Sequence, residues 1–538
     1  MTATEAYDFL IIGGGSAGCV LAARLSEDPD VSVCLIEAGG RDWHPFYHIP
    51  AGFSKMTKGI GSWGWSTVPQ KHLNNRSLLF TQAKVIGGGS TINAQIYTRG
   101  NALDFDEWRQ LGCEGWSYED VLPYFKKSEL NDTFDDRYHG QSGTLGVSKP
   151  SAPLPICEAF FKAAAELGIP HNPDLTGESQ EGVGFYQLTQ KNARRSSVVR
   201  AFLNTAKRRS NFKLIHNCQV QKLLIENQRA VGVQFFEGNT ARTIHSNAET
   251  IVSCGAIGSP KLLMLSGIGP ADHLQSLKID VALDQPGVGS DLQDHLDLFT
   301  ISECSGDHTY DKYAKPFWSL LAGMQYLTTR SGAAASSLFE TGGFWYAEEG
   351  ARSPDIQFHL GLGSGIEAGV AQMKNAGVTL NSAYMRPRSR GTVRLASNDP
   401  AAAPLIDPNY WEQSHDRDMA IRGLKLAQEI MRQAPLAPFI DREVLPGPDI
   451  QSDKDYFDYA CANAKTDHHP AGTCRMGSDD RAVVDTQLRL RGIAGLRVID
   501  ASIMPRLVSS NTNATTIMIA EKAADMIRAK GNSQRQIA

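Results

Sequence analysis

A glycine-rich turn near the start of the chain has the residue types and the spacing that bind a dinucleotide. Gly13, Gly15 and Gly18 follow an apolar run and open a run with helical spacing. In such a fingerprint the first glycine permits a tight turn, the second lets a pyrophosphate approach the backbone, and the third allows the helix to pack closely on the strand. The backbone N–H groups of Ser16 and Ala17, at the helix N-terminus, could donate to the phosphates.

A carboxylate follows this turn at the distance that dinucleotide sites use for the ribose. Glu37 stands 19 residues after Gly18, at the end of the next predicted strand. It would accept hydrogen bonds from the adenosine ribose hydroxyls and disfavour a 2′-phosphate at that place. The fingerprint by itself does not separate FAD from NAD.

The elements that must position these residues form a βαβ unit. A strand at 7–12, a helix at about 16–26 and a second strand at 31–37 predict a parallel sheet. Residues 40–95 are rich in glycine, tryptophan, proline and asparagine, which is typical of a long extended excursion over a bound ligand. The strand-like runs between 211 and 254 read as further strands of the same lobe.

Two later segments complete this picture. A strand at 496–500 and a helix at about 514–529 return to the nucleotide-binding lobe, whereas the amphipathic helix at 415–433 belongs to an inserted second lobe. A flavin lies across the interface of two lobes, so this repeated return of the chain favours a flavoprotein. With 538 residues, 41% of them hydrophobic, the chain exceeds one ordinary domain.

Charge, hydropathy and cysteine usage exclude several classes of partner. The net charge is −5, from 53 basic and 58 acidic residues without a dense basic run, so we expect no nucleic-acid partner. No run reaches the roughly 20 apolar residues of a membrane span, and no secretory signal is recognisable. The nine cysteines lack CxxC spacing, which argues against disulfides and zinc. We expect a cytoplasmic protein, and peripheral association with the inner membrane stays open.

Three further segments resemble signatures of the glucose-methanol-choline (GMC) oxidoreductases, and with the fingerprint they span about 7–528. They are 84–93, 255–269 and a C-terminal block formed by 468–477, 500–504 and 511–513. The chain is most similar to the bacterial alcohol and choline dehydrogenase group. The resemblance implies an enzyme that binds FAD and oxidises an alcohol, in the first place a primary one, to the aldehyde by hydride transfer to flavin N5. A quinone-type acceptor or oxygen would reoxidise the flavin.

The resemblance also implies the fold, an α/β fold in which a Rossmann-like FAD-binding lobe carries an inserted substrate domain of antiparallel sheet plus helices. The predicted FAD-binding domain comprises 1–155, 216–299 and 465–538, and the substrate-binding domain comprises 156–215 and 300–464. The cofactor-binding residues implied by the fingerprint and the resemblance are Gly13, Gly15, Ser16, Ala17, Gly18, Glu37, Ala38, Val85, Gly88, Gly89, Asn93, Ala94, Ile96, Val220, Asp500 and Ala501.

The resemblance places the catalytic residues in the C-terminal block. His469 would take the hydroxyl proton, since an imidazole suits a proton acceptor at neutral pH. Asn513 would orient the alkoxide, with an N-cap as its alternative role. The helix that starts there would aim its positive end at the flavin. We expect His468 and His295 to be structural, the latter because no second ligand with metal spacing accompanies it.

Two departures from the family pattern bear on the cofactor. Some members attach the flavin covalently through a histidine where this chain has Ile92, so we predict non-covalent FAD. Ala514 replaces a proline that often follows the catalytic asparagine, which loosens the turn there.

The substrate is less constrained by the sequence. Trp63, Trp65 and Phe339 could line the alcohol pocket or belong to the core. Glu340 could pair with a cationic alcohol such as choline or be an ordinary structural glutamate. Choline dehydrogenase or oxidase activity, a flavin photodecarboxylase, a nicotinamide enzyme and a non-catalytic flavin-binding protein are the alternatives, and the oligomeric state stays open.

Overall fold

The structure, a computed structural model, describes residues 5–238, 240–370 and 372–537. Two seven-stranded sheets dominate it, and helices and long irregular segments pack around them. The helices are Ser16–Leu25, Phe53–Met56, Gly89–Ile92, Ala102–Gln110, Tyr118–Ser128, Pro155–Glu166, Asn204–Ala206, Gly255–Leu265, Ala271–Ser276, Pro316–Thr329, Ser414–Met431, Asp453–Asn463 and Asn513–Ile537. Shorter helical turns are Pro45–Tyr47, Pro50–Gly52, Val199–Leu203, Asp311–Ala314, Ala333–Ala335, Ala434–Leu436 and Ala501–Ile503.

The first sheet carries the predicted βαβ unit. Ala6–Ile12 pairs in parallel with Val33–Ile36 on one side and with Thr240–Val252 on the other, and Ser16–Leu25 connects the first two strands. Across the sheet the strand order is Phe212–Ile215, Val33–Ile36, Ala6–Ile12, Thr240–Val252, Arg229–Glu237 and Val220–Glu226, with Leu496–Val498 also pairing in parallel with Thr240–Val252. A parallel core of this kind is what buried, apolar strands such as Val33–Ile36 require.

The second sheet is antiparallel throughout. Its strand order is Ile440–Leu445, Leu296–Cys304, Gly377–Tyr384, Ile356–Gly361, Thr341–Trp345 and Gly182–Phe185, with Lys465–Thr466 also pairing with Leu296–Cys304. The helix Ser414–Met431 packs on one face of this sheet. The predicted α/β fold, with a Rossmann-like lobe and an antiparallel lobe covered by helices, is confirmed.

Small two-stranded pairs complete the architecture. They are Ile96–Tyr97 with Gln187–Leu188, Glu129–Asn131 with Leu145–Val147, Gln190–Lys191 with Arg194–Arg195, Ile268–Gly269 with Leu283–Asp284, and Thr392–Arg394 with Leu405–Asp407.

Two central strands of the second sheet are buried on both faces. Every residue of Ile356–Gly361 and of Gly377–Tyr384 is buried. Because side chains alternate along a strand, Phe358 joins the apolar core under the covering helix, whereas His359 turns to the opposite face. That opposite face is polar, and it forms one wall of the cavity described below.

Two of the predicted domain boundaries disagree with the sheets to which the neighbouring strands belong. Phe212–Ile215, assigned above to the substrate-binding domain, is the edge strand of the first sheet, because it pairs in parallel with Val33–Ile36. Leu296–Cys304 begins before the boundary at 300 and lies wholly in the second sheet. The structure therefore moves the first boundary ahead of Phe212 and the second ahead of Leu296.

The C-terminal helix brings the end of the chain to the glycine turn. It begins at Asn513, as predicted to within one residue, and packs against Ser16–Leu25. The buried carboxylate of Glu521 pairs with Arg24 of that helix at 2.7 Å. The two most widely separated chemical motifs of the sequence are held side by side in this way.

Candidate active site

A cavity of about 2030 Å³, its open mouth included, lies between the two sheets. The glycine turn at 13–17, the segment 85–96 and the start of the helix Gly255–Leu265 line one part of it. His359 and Asn381, from the polar face of the second sheet, line another part. Both lobes therefore contribute to a single site.

Close backbone packing builds the glycine part of the cavity. A Cβ on Gly18 would lie 1.9 Å from the carbonyl oxygen of Gly13, so helix and strand touch there. Gly88 has φ of +54°, and a Cβ on it would lie 2.6 Å from the Cα of Gly15. A Cβ on Gly255 would meet nothing within 4 Å, so the start of that helix is open to the cavity.

The carboxylate of Glu37 stands on the cavity wall and is hydrogen-bonded to backbone. It accepts the N–H of Gly14 at 2.7 Å through Oε2 and the N–H of Gly39 at 2.6 Å through Oε1. Burial raises the pKa of this carboxyl group. Each oxygen keeps a further lone pair, so the group can hold the glycine turn and still accept from a ribose hydroxyl.

Asp500 fixes the start of the open helix. Its Oδ2 atom accepts the backbone N–H of Gly255 at 2.9 Å and the hydroxyl of Ser259 at 2.5 Å, and its Oδ1 atom accepts the N–H of Ser502 at 2.8 Å. Burial raises the pKa of Asp500. The side chain thus links the strand that ends at Val498 to the helix that begins at Gly255.

The cofactor residues expected from the sequence lie together. All of them line the cavity except Gly18, which packs behind the turn. A glycine cradle free of side chains, an open helix N-terminus and a buried carboxylate 19 residues beyond the turn fit the pyrophosphate and ribose of FAD. Ile92 also lines the cavity and offers no nucleophile, so non-covalent attachment stays our prediction.

A chain of hydrogen bonds runs from the second sheet to the cavity through two histidines. His295 is buried and its Nε2 lies 3.1 Å from the carbonyl oxygen of Met385. The Nδ1 atoms of His295 and His469 are 3.0 Å apart. The Nε2 atom of His469 lies 3.1 Å from Nδ2 of Asn511, and the proton positions in this chain are assigned from the hydrogen-bond partners.

These contacts determine which ring nitrogens carry protons. A carbonyl oxygen only accepts, so Nε2 of His295 must donate to Met385. Burial lowers the pKa of His295 to about 3, so the ring is neutral and its single proton is on Nε2. Its Nδ1 therefore carries a lone pair, which accepts the N–H from Nδ1 of His469. The Nε2 atom of His469 is then unprotonated. It faces the amide of Asn511, whose Oδ1 accepts from Gln357 and Thr98, both at 3.0 Å.

The surroundings of His469 keep it neutral. Burial, followed by the nearby histidines including His295, lowers its pKa well below the usual 6.5. Its backbone N–H donates to Asp294 at 2.7 Å, and a carboxylate oxygen of Asp467 lies 3.2 Å from its Nδ1. His469 is therefore a fixed, uncharged acceptor on the cavity wall.

The neighbouring His468 also lines the cavity, although we expected it to point elsewhere. Its backbone has φ of +61°, a left-handed conformation that breaks the alternation of an extended segment. Burial lowers its pKa to about 4, and its Nδ1 atom has no hydrogen-bond partner in the described part of the chain.

The asparagine beside His469 is Asn511 rather than Asn513. Asn513 lines the cavity as the first residue of its helix, and its Oδ1 accepts the hydroxyl of Ser16 at 2.8 Å. Asn511 lies two residues earlier, in the loop that approaches His469. The signal in the sequence is the position relative to the predicted helix start. Asn511 precedes that start, whereas Asn513, the first helical residue, bonds to Ser16 of the glycine turn.

His295 has a role beside His469 that the sequence analysis did not foresee. Its Nδ1, the Nδ1 of His469 and a carboxylate oxygen of Asp467 lie within 4.8 Å of one another, so our expectation that no ligand-type residue accompanies it is wrong. The proton assignment above gives both Nδ1 atoms a hydrogen-bonding role. His295 is separated from His469 by 174 residues, so no local sequence pattern predicts their contact.

The aromatic end of the cavity agrees with three of the four pocket residues considered in the sequence, since Trp63 also lines it. Trp65 and Phe339 lie on the wall, with Trp63 stacked on Trp65 at 4.9 Å between ring centroids. Glu340 is not among the residues of the wall, and it is fully buried. Burial raises its pKa to about 7. The structure thus removes Glu340 from the pocket.

A buried lysine neutralises the acidic side of the cavity. Lys465 lies 2.6 Å from Asp297 and 2.9 Å from Glu367, and Glu367 lines the cavity. Asp467, which also lines it, has its pKa raised well above the usual value by burial and then by Asp297. On this wall Lys465 thus pairs with Glu367, and burial disfavours the charged form of Asp467.

Comparison with known proteins agrees with this geometry. The family model of the GMC oxidoreductases matches residues 7–297 and 387–520. The chain is 42% identical over 527 residues to an alcohol dehydrogenase (acceptor) of Pseudomonas putida, covering 97% of this chain and 95% of that protein. It is 40% identical over 526 residues to an oxygen-dependent choline dehydrogenase of Sinorhizobium fredii, covering 97% and 96%.

A solved structure extends the comparison to the fold. The structure of an FAD-dependent oxidoreductase from Chaetomium thermophilum matches with a TM-score of 0.91 and 28% identity, covering 98% of this chain and all of that one. The two lobes and the cavity between them define a dinucleotide-binding oxidoreductase. The chain belongs to the GMC oxidoreductase family.

Replacement of Glu37 tests the cofactor part of the site. Glu37→Ala removes the acceptor of two backbone N–H groups and of the ribose hydroxyls, charge-assisted bonds worth about 1.5–3 kcal/mol. We expect FAD to be held about 10- to 100-fold more weakly, and Glu37→Gln to be milder. Flavin absorbance per protein after gel filtration measures this, and equal flavin content in wild type and Glu37→Ala would contradict the assignment.

Proposed function

We propose that this GMC oxidoreductase binds FAD non-covalently and oxidises a primary alcohol to the aldehyde, with His469 as the base. The observation that carries the proposal is the position of His469 on the wall of a cavity built for a dinucleotide, with its Nδ1 3.0 Å from His295 and its Nε2 3.1 Å from Asn511. The relatives named alcohol dehydrogenase and choline dehydrogenase support the substrate class. FAD, when bound, supplies the two-electron acceptor for the hydride of the carbinol carbon.

The protein's own residues handle the proton. The alcohol hydroxyl donates to Nε2 of His469, which is held in place by the bond from its Nδ1 to His295. Asn511 directs an N–H toward Nε2 in this structure; the alcohol hydroxyl would take that place on Nε2, and the amide of Asn511 could then donate to the alcohol oxygen.

The low pKa of His469 suits this role. The imidazole stays uncharged, and so able to accept a proton, over the whole neutral range. We assign Asn511 the orienting role that the sequence suggested for Asn513, because Asn511 is the residue in contact with His469. Reoxidation by a quinone-type acceptor or by oxygen, and a cytoplasmic location, stay predictions from the sequence.

The charges of the pocket favour an uncharged alcohol over choline. Glu340, the sequence candidate for pairing with a cation, lies outside the pocket. Glu367 is paired with the ammonium group of Lys465, and burial raises the pKa of Asp467, which disfavours its charged form. A trimethylammonium group would therefore be desolvated without a free carboxylate to compensate it.

Replacement of His469 tests the base. His469→Ala should keep the flavin spectrum and slow flavin reduction by about 100- to 10,000-fold, the usual effect of one positioned acid–base group. His468→Ala is the matched control, since His468 is the adjacent histidine, lines the same cavity and has no proposed proton role. The loss of rate in this variant should be much smaller. In the wild type, the low pKa of His469 means that the rate stays flat through neutral pH and falls only below about 6.5. Equal losses in both variants, or an inflection above neutral pH, would contradict the proposal.

Replacement of His295 tests the positioning of the base. His295→Leu removes the acceptor for Nδ1–H of His469 and should lower the rate of flavin reduction at least about 10-fold, with the KM for alcohol little changed. His295→Gln offers a carbonyl oxygen to the same N–H and should recover much of the rate. A purely structural histidine would show no such rescue, so equal rates in the two variants would overturn the role.

A substrate comparison tests the charge of the pocket. We expect a lower kcat/KM for choline than for its carbon isostere, in which a tert-butyl group replaces the trimethylammonium group. The difference should be at least about 10-fold, because an uncompensated charge is costly to bury. Steady-state assays with one artificial electron acceptor measure both substrates under the same conditions. Preference for choline would show that a carboxylate of the pocket is free for a cation.

A further inference from the structure

The helix Pro316–Thr329 exposes an unusual amount of apolar surface. Phe317 is 65% exposed, Leu320 63%, Met324 47% and Leu327 69%. With Trp318, at 41%, this one helix holds five of the ten large apolar residues that are exposed in the described part of the chain. Single exposed apolar residues are ordinary, whereas a contiguous group of this size marks an interaction surface.

The spacing of these residues puts them on one face. Phe317, Leu320, Met324 and Leu327 follow one another by three, four and three positions, so they form a stripe along the helix. The opposite face carries the two buried residues, Ala322 and Tyr326. A helix of a globular protein normally turns its apolar stripe to the core, and this helix turns it outward.

The charge around the stripe is of one sign. Residues 312–339 contain no Asp or Glu, and Lys315 precedes the helix while Arg330 ends it. Arg194 and Arg200 lie close to Arg330, beside the ring of Tyr326. Within the described residues none of these three arginines forms an ion pair with a carboxylate, although the protein as a whole is acidic.

We propose that this helix docks the protein on the surface of an anionic lipid bilayer. At 14 residues the helix is about 21 Å long, too short to cross the hydrocarbon core, and no helix in the described ranges has the length and hydropathy of a membrane span. An apolar stripe bordered by basic residues lies flat in the lipid interface, where the positive charges meet anionic headgroups. Trp318, 41% exposed in the first turn of the helix, has the amphipathic ring that favours this depth.

The docking surface is connected to the aromatic end of the cavity. Ala333–Ala335, just after the helix, packs against Pro50–Gly52. Phe53 and Phe339, which follow these two segments, lie on the cavity wall with ring centroids 5.9 Å apart. Docking would bring this end of the cavity to the membrane, where an apolar alcohol or a quinone dissolves. That consequence rests on the proposed function, whereas docking itself does not.

Co-sedimentation of the FAD-loaded protein with lipid vesicles tests the proposal. Wild type should bind vesicles of phosphatidylcholine and phosphatidylglycerol better than vesicles of phosphatidylcholine alone, and added salt should weaken the binding. The double variant Leu320→Glu/Leu327→Glu should bind at least about 10-fold more weakly. The matched control Phe236→Glu/Leu405→Glu changes residues that are 45% and 44% exposed elsewhere and should bind as wild type.

Two further measurements separate the possible outcomes. Flavin content and turnover of a water-soluble alcohol should be unchanged in the double variant, which shows that it folds; vesicle binding itself requires no activity. Equal vesicle binding by wild type and double variant would overturn the proposal. A second outcome would also overturn it: the wild type does not bind vesicles and is a dimer by light scattering, while the double variant is a monomer. The stripe would then be covered by a second copy of the chain.

Discussion

The chemistry of this site depends on one hydrogen bond, between the Nδ1 atoms of His295 and His469. Two identical atoms 3.0 Å apart share one proton, and the carbonyl of Met385 decides which ring carries it. In the reversed arrangement, Nε2 of His295 would be an acceptor that faces the Met385 carbonyl, and Nε2–H of His469 would be a donor that faces the Asn511 amide. Each of these two unsatisfied buried groups would cost about 1–3 kcal/mol. The reversed arrangement would therefore hold no more than a few per cent of the molecules, and Nε2 of His469 is left as the acceptor that faces the cavity.

The fold holds this chain of bonds on the rigid side of the cavity. His295 directly precedes the strand Leu296–Cys304, and Gln357, which orients the amide of Asn511, lies in the buried strand Ile356–Gly361. The first sheet supplies the other side of the cavity, where the glycine turn lines the wall with backbone atoms. The C-terminal helix joins the two sides, because its start lies in the catalytic loop and its body packs on the helix that follows the glycine turn.

Features that are local in sequence were predictable, and features made by distant contacts were not. The glycine turn, Glu37 and the strands of the first sheet follow from contiguous patterns, and family resemblance located His469. The pairing of His295 with His469 joins residues 174 positions apart, so only the folded chain shows it. Phe339 lines the cavity and its neighbour Glu340 does not, a difference of one position that the sequence pattern does not resolve. Asn511 was missed because a two-residue step decides whether a side chain lies in the loop or in the helix.

The positions of two protons test the account most directly. Neutron diffraction, or ¹⁵N chemical shifts of the histidine rings, would locate them in the resting enzyme at neutral pH. The account predicts a proton on Nε2 of His295 and on Nδ1 of His469, with Nε2 of His469 unprotonated. A proton on Nε2 of His469 would contradict it, because the nitrogen that faces the cavity could then not accept the proton of an alcohol.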